Sequence, residues 1–282
     1  MNYGNIIGTV QILIARTNEI LTFSSDNYDI SGNIQRSSLA NLNSGSITID
    51  NISPATFSRL WKTRIGANNG QIILRAEIGR EGLGLFKVCE KDIIESSMTK
   101  SEQTYKATFL AIAGMNALAG NYTMNSKNAN LQQIIEDLSA ETKIPIGRVQ
   151  ATDTKNVDFV TFPQTGTKTL KEIERAFPNA DVYVDGNKIY AIDKKSWINT
   201  NKGLKITTNQ LRLPPTLEAN RIKCDIHLDP RFEINDITEI ESAVSPYLNG
   251  QYKVVNVIHN FSITRTGSST GSTKIELLYF PF

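Results

Sequence analysis

The residues of this 282-residue chain that could do chemistry are two histidines, a group of carboxylates and one glycine-rich hexapeptide. His227 and His259 both lie in strand-like runs and could face each other across paired strands. Asp225 or Asp229 would then supply the third ligand that a metal ion wants. Two histidines in alternating runs read more simply as ordinary strand residues, so no metal site is assigned. Carboxylates cluster at Asp225, Asp229, Glu233, Asp236, Glu239 and Glu241. A glycosidase needs two carboxylates flanking a cleft. Glu239 and Glu241 share one strand face by alternation, which fits a solvated face better. A serine hydrolase needs its nucleophile on a sharp turn, and the sequence has no Gly-x-Ser-x-Gly; the nearest look-alike, Gly45-Ser46-Ile47, reads as turn and strand. Gly79-Arg-Glu-Gly-Leu-Gly84 lacks the Lys-Ser/Thr and the following helix of a phosphate cradle, so it reads as a hairpin turn. No catalytic residue and no cofactor are expected, and the chain is read as not an enzyme.

Composition excludes further classes. Hydrophobic residues make up 40% and charged residues 21%, which is ordinary for a globular protein. Thirty basic residues against 28 acidic ones leave a net charge of +2, too balanced to argue for a nucleic-acid-binding surface. Cys89 and Cys224 each sit in an apolar strand-like setting and read as buried, reduced thiols. Ile6 to Ala15 is broken by Gly8, Thr9 and Gln11 and follows no basic segment, so no signal peptide is expected. Nothing approaches the roughly 20 apolar residues of a membrane span, and no membrane insertion is expected.

The elements that would position these residues form a mainly β chain with an α+β insert. Residues 1–120 are expected to be β-dominated. Ile6 to Ala15, Leu21 to Phe23, Ile30 to Ser37, Ser46 to Ile52, Gln71 to Ile78, Leu85 to Ser97 and Thr104 to Ala113 read as strands. One helix interrupts, with Ser53 at its N-cap, Pro54 in its first turn, and Phe57, Leu60 and Trp61 on one face. Residues 121–195 change to β-α-β-α-β-β. Leu131, Ile134, Ile135 and Leu138 fall at i, i+3, i+4 and i+7 of an amphipathic helix. Thr169 and Glu172 suggest a capping box opening a second helix that ends at Pro178. Asp185-Gly186-Asn187 between alternating runs predicts a hairpin. Residues 196–219, with Pro214-Pro215, read as a connector.

The last segment, 220–282, holds four β-rich runs, of which Gln251 to Ile263 is the strongest. Strict alternation puts Tyr252, Val254, Asn256 and Ile258 on one face and Val255, Val257, His259 and Phe261 on the other. Both faces are mostly apolar, so the strand should be covered on both sides, by this chain or by another subunit. The run Gly250-x-Tyr252-x-Val254-x-x-Val257-x-His259 follows an Asp229-Pro230 turn and an acidic strand and precedes a Gly/Ser/Thr-rich turn and a last strand. This order resembles the C-terminal tube-type domain of the tail hub proteins of contractile phages and related injection machines.

The resemblance implies two tail-tube-like β-barrels flanking a small α/β domain. It implies a structural baseplate protein of the virion tail, assembled in the bacterial cytoplasm. Three copies would form a ring matching the sixfold tail tube to the threefold central spike. Partners would be the tube protein, the spike, other baseplate proteins and the tape measure, with DNA only in passage through the lumen. Gly250, Tyr252, Val254, Val255, Val257, His259 and Phe261 would be the structural or interface residues, and Glu239 and Glu241 would face the lumen. Two alternatives from other classes are a ring-forming envelope or secretion module and a cell-wall hydrolase.

Overall fold

The computed structural model describes residues 4–15, 17–38, 43–65, 71–101, 104–150 and 154–279. The first half is β1 (Ile6–Ile14), β2 (Glu19–Ser24), β3 (Asp29–Ser37), β4 (Ser44–Ile52), α1 (Pro54–Ile65), β5 (Ile72–Arg80), β6 (Gly84–Ser101) and β7 (Thr104–Ile112). In β1 buried residues alternate strictly with half-buried ones, so Ile6, Val10 and Ile12 face the first core and Ile14 is buried on the same side. Ser53 caps α1, its hydroxyl accepting from the Thr56 amide at 3.1 Å. Phe57 packs on the first core, while the side chains of Leu60 and Trp61 lie outside the described residues. Gly79 and Gly84 do close the β5–β6 hairpin; a Cβ at Gly79 would lie 1.7 Å from the Gly84 carbonyl oxygen. β6 runs on past Ser97, the expected end of the strand, to Ser101.

The middle of the chain runs α2 (Met115–Leu118), β8 (Asn121–Tyr122), β9 (Asn125–Ala129), α3 (Leu131–Thr142), β10 (Ile146–Gln150), β11 (Val157–Val160), β12 (Gln164–Thr165), α4 (Gly166–Ala176), β13 (Ala180–Asp185) and β14 (Lys188–Asp193). Leu131, Ile134, Ile135 and Leu138 of α3 are fully buried in a second core, as their spacing predicts. A capping box opens α3: the Asn130 side chain accepts from the Gln133 amide and the Gln133 side chain accepts from the Asn130 amide, both at 3.0 Å. Asn130→Ala is expected to lower stability by about 1 kcal/mol, read as a shifted urea midpoint at unchanged slope. In α4 the expected capping box is replaced by another arrangement. The helix starts at Gly166 after Thr165, and Thr169 is buried inside its first turn, its hydroxyl donating to the Thr165 carbonyl at 3.3 Å. Glu172 instead accepts from Gln164 Nε2 at 2.8 Å. The β13–β14 hairpin turns on Gly186 and Asn187, whose φ values of 52° and 54° are those of a type I′ turn.

The last part is β15 (Asn199–Thr207), β16 (Thr216–Glu218), β17 (Arg221–His227), β18 (Asp236–Glu241), β19 (Gly250–Ile263) and β20 (Ser269–Tyr279). The stretch read as a connector thus supplies two strands. β15 pairs in parallel with β18, a partner about 30 residues on that local sequence does not announce, and Pro214 and Pro215 lie between β15 and β16.

One 13-stranded sheet runs through both halves, in the order β16-β17-β20-β19-β3-β4-β7-β6-β5-β1-β2, with β15 joined through β18 to β19. β19 is the seam. Its first residues pair with β18, its last eight with β3, and its other edge with β20 along almost its whole length. Gly32 of β3 permits close packing there, since a Cβ would lie 2.6 Å from Phe261 Cζ. Beside the first core and the second, a third core gathers Ile222, Cys224, Ile226, Ile240, Tyr252, Val254, Val257, Ile275 and Leu277.

Candidate functional site

The residues singled out in β19 meet at the place where the strand changes partners. Between Val254, opposite Leu277, and Asn256, opposite Glu276, the register shifts by one, leaving Val255 as a β-bulge. Its carbonyl accepts from the Ser38 amide at 3.0 Å, at the join with β3. The bulge corrects the face assignment made from alternation. Tyr252, Val254 and Val257 all enter the third core, and Phe261 and Ile263 enter the first. An extra residue flips the parity of everything after it.

Tyr252, Val254, Val255, Val257, His259 and Phe261 are each buried inside the chain, at 5% exposure or less, and Gly250 is half-buried at the start of the strand. The Tyr252 hydroxyl donates to the Leu248 carbonyl at 2.8 Å, and its ring meets Tyr279 edge-on at 6.0 Å. His259 is wholly buried. Thr273 Oγ1 lies 3.1 Å from its Nδ1, and Nε2 has no hydrogen-bond partner. Burial, with the Arg36 cation next in weight, pulls its pKa down to about 3. His227 does not join it, because β20 runs between them: His227 stands opposite Ser272 and His259 opposite Thr273. Asp229 is committed to Arg231, accepting from Nε at 2.9 Å and from Nη2 at 2.7 Å, and Asp225 pairs with Arg212 at 3.4 Å. Among the described residues no group of His, Cys, Asp and Glu could hold a metal ion. Cys89 and Cys224 are buried free thiols, pushed up to about 11 and about 12 by burial. Glu239 and Glu241 share a face, as alternation predicts, but Lys205 of β15 stands between them. Its Nζ pairs with Glu239 at 3.1 Å and with Glu241 as well, and Glu241 foremost raises the lysine's pKa. One lysine against two carboxylates offsets half of the acidic charge on this face.

Sequence reasoning missed the clamp that holds the insert to the sheet. One face of β13 (Ala180, Val182 and Val184) lies in the second core. The other face offers Asp181, Tyr183 and Asp185, and each takes a partner from the sheet or the segment before β18. Asp185 Oδ2 accepts from Arg36 Nε at 2.9 Å and from Arg36 Nη2 at 2.7 Å. The Tyr183 hydroxyl accepts from Asn235 Nδ2 at 2.7 Å. Asp181 lies 3.6 Å from Lys253 Nζ. The two ion pairs differ in balance. Burial pulls the Arg36 pKa down, but Asp185 outweighs it and the net shift is upward; burial pushes Asp185 up, but Arg36 and Lys91 outweigh it and the net shift is downward. At the longer Lys253–Asp181 contact burial wins instead, leaving Lys253 lowered and Asp181 raised. The first pair is therefore the firm one.

A cleft of about 740 Å³ between sheet and insert is lined by Asp92, Gly114, Asn116, Lys143, Asn187 and Lys188 among others. Its buried acid is spent on structure, since Asp92 accepts from Gln71 Nε2 at 2.5 Å, the Asn116 amide at 3.0 Å and Asn187 Nδ2 at 3.2 Å. The arrangement supplies rigid docking, and no nucleophile–base pair lines the cleft among the described residues.

A family model described as "Baseplate hub gp41" matches residues 10–267 of the chain. The 43 kDa tail protein of prophage MuSo2 from Shewanella oneidensis has a similar fold, with a TM-score of 0.65 at 10% identity over 98% of this chain and 96% of that one. A tail protein from Neisseria meningitidis MC58 aligns with a TM-score of 0.61 at 10% identity, over 98% and 97% of the two chains. The E. coli c3393 protein aligns with a TM-score of 0.61 at 10% identity, over 90% and 74%. It is described as a type VI secretion component structurally similar to the T4 phage tail proteins gp27 and gp5. No curated protein matches by sequence. At such identities the likeness is one of fold.

Proposed function

This chain belongs to the baseplate hub gp41 family, and from that premise we infer that three copies form a ring matching the sixfold tail tube to the threefold spike. The ring encloses a channel for DNA and offers a platform for tube, spike and tape measure. Its work is geometric: it holds shape under load and joins two symmetries, and it needs no bond-making step. The observation that carries this reading is the single sheet running through both halves of the chain. A symmetry adaptor has to present two tube-like faces at one fixed angle, and a sheet sewn through β19 with a clamped insert fixes such an angle. The two halves act as the two tube-like barrels of each copy, so that three copies give a pseudo-sixfold surface.

Light scattering of the purified protein tests the reading. A mass of three chains is the expected result, either for the protein alone or after mixing with its spike partner. A single-chain mass under both conditions, with no co-purification with tail proteins, would sink it. No specific observation favours the secretion-module or hydrolase alternatives.

A further inference from the structure

Across six neighbouring strands the sheet carries a straight row of hydroxyl side chains. In direct register run Ser97 of β6, Thr108 of β7, Thr48 of β4, Ser31 of β3, Ser262 of β19 and Thr270 of β20. Strands about 4.8 Å apart make this row about 24 Å wide. All six side chains are exposed or half-exposed, and the Thr48 and Thr108 hydroxyls meet at 3.0 Å. Two residues along, a second row repeats the chemistry with Ser46, Asn33, Asn260, Ser272 and His227. Asn33 Nδ2 donates to Asn260 Oδ1 at 2.5 Å. The first row contains no Lys, Arg, Asp or Glu; the second has none from β4 to β17, and on β7 and β6 it gives way to Leu110 and then Glu95. Charges begin at the margins and in the next row, largely as pairs: Lys106 with Asp50 at 3.7 Å, Arg265 with Asp29 at 3.6 Å and Arg212 with Asp225 at 3.4 Å, with Lys274 beside them. On β5 and β6, by contrast, half-buried positions carry Arg75 opposite Glu90.

Local propensity does not account for the rows, because asparagine is a poor strand former and this sheet elsewhere uses Ile, Val and Thr. A partner protein would be better served by an apolar centre, which the rows lack. A polyanion held in place would need lysines and arginines, because its binding comes from counterions released as phosphates are neutralised. A wall of short, hydrated, uncharged side chains gives a polyanion neither cations to stick to nor carboxylates to repel it.

We propose that this hydroxyl face, rather than the Lys205-bridged pair Glu239 and Glu241, lines the conduit past which duplex DNA slides. The proposal rests on the ring reading above and names the surface that reading leaves open. The test uses Ser31→Cys and Thr48→Cys, since the native thiols Cys89 and Cys224 are buried. Each variant, free and in purified tail particles, is treated with a small maleimide dye and with a maleimide carrying a long polyethylene glycol chain. Lumen residues should accept the small reagent in particles while the bulky one slows at least tenfold relative to the free chain. Equal reaction with both reagents in particles would put the face on the outside and overturn the proposal. Loss of both reactions would bury it in a protein interface and overturn it equally. Absence of the wild-type chain from purified particles would instead overturn the hub reading, and the conduit with it.

Discussion

Asp185→Ala is expected to lower stability by about 3–5 kcal/mol, because it strands a buried guanidinium. Arg36 gives two of its N–H groups to one carboxylate oxygen, and the two side chains are only 14% and 9% exposed. Removing the acid leaves a desolvated cation beside Lys91, itself fully buried and already donating to the carbonyls of Gln35 and Ser44 at 2.7 Å. Arg36→Met combined with Asp185→Leu should cost less than Asp185→Ala alone, because no charge is then left without its partner. A double-mutant cycle from urea unfolding checks this. If the double variant loses as much as the two single changes summed, the pair is not coupled and the clamp argument fails.

The second large effect is acid lability through His259. Its folded pKa of about 3 lies below the unfolded value near 6.5. Between those limits the unfolded chain binds a proton that the folded chain refuses, so stability rises with pH across that window and falls as pH drops through it. At about 1.4 kcal/mol per pH unit, acidification from pH 6.5 to 5 should remove about 2 kcal/mol, and the full window roughly 5. The imidazole has little choice. The Thr273 hydroxyl donates to the Asp229 carbonyl at 3.2 Å, so Nδ1 donates to Thr273 and Nε2 keeps a bare lone pair in the core. The charged groups that bear on it are Arg36 and Lys91, which oppose protonation, and Asp229, which favours it. His227, also lowered, chiefly by burial, adds a smaller slope of the same sign. His259→Gln should flatten the pH dependence between 5 and 6.5 in thermal melts. Superimposable profiles for variant and wild type would refute the assignment.

Much of this architecture is written in the chain locally. The strand β1, the spacing of Leu131, Ile134, Ile135 and Leu138, and the Asp185-Gly186-Asn187 turn each follow from short-range geometry, and each appears as read. What was illegible depends on partners far away. In Val254-Val255-Asn256-Val257 both parities carry valine, so one inserted residue leaves no clear mark on the pattern, and the bulge shows only against β20. Arg36 and Asp185 are 149 residues apart and look like ordinary surface charges until β13 docks. Thr169 carries an N-cap signature, but it lies one turn inside a helix that had already begun at Gly166. The hydroxyl rows have no sequence period at all; each strand gives one or two members, and only cross-strand register makes them a surface.

The seam at β19 also dictates when this protein can fold. Asn33 waits for Asn260, 227 residues later in the chain, and β3 keeps one edge open until then. A ribosome therefore has to release the chain past residue 263 before the first core can close, since Phe261 and Ile263 belong to that core. Contacts of such long range slow folding and leave an edge strand exposed to stray pairing during synthesis. The same ordering screens for completeness: a chain cut short before residue 256 lacks the pairing that joins its halves, and only copies that carry all of β19 close the sheet.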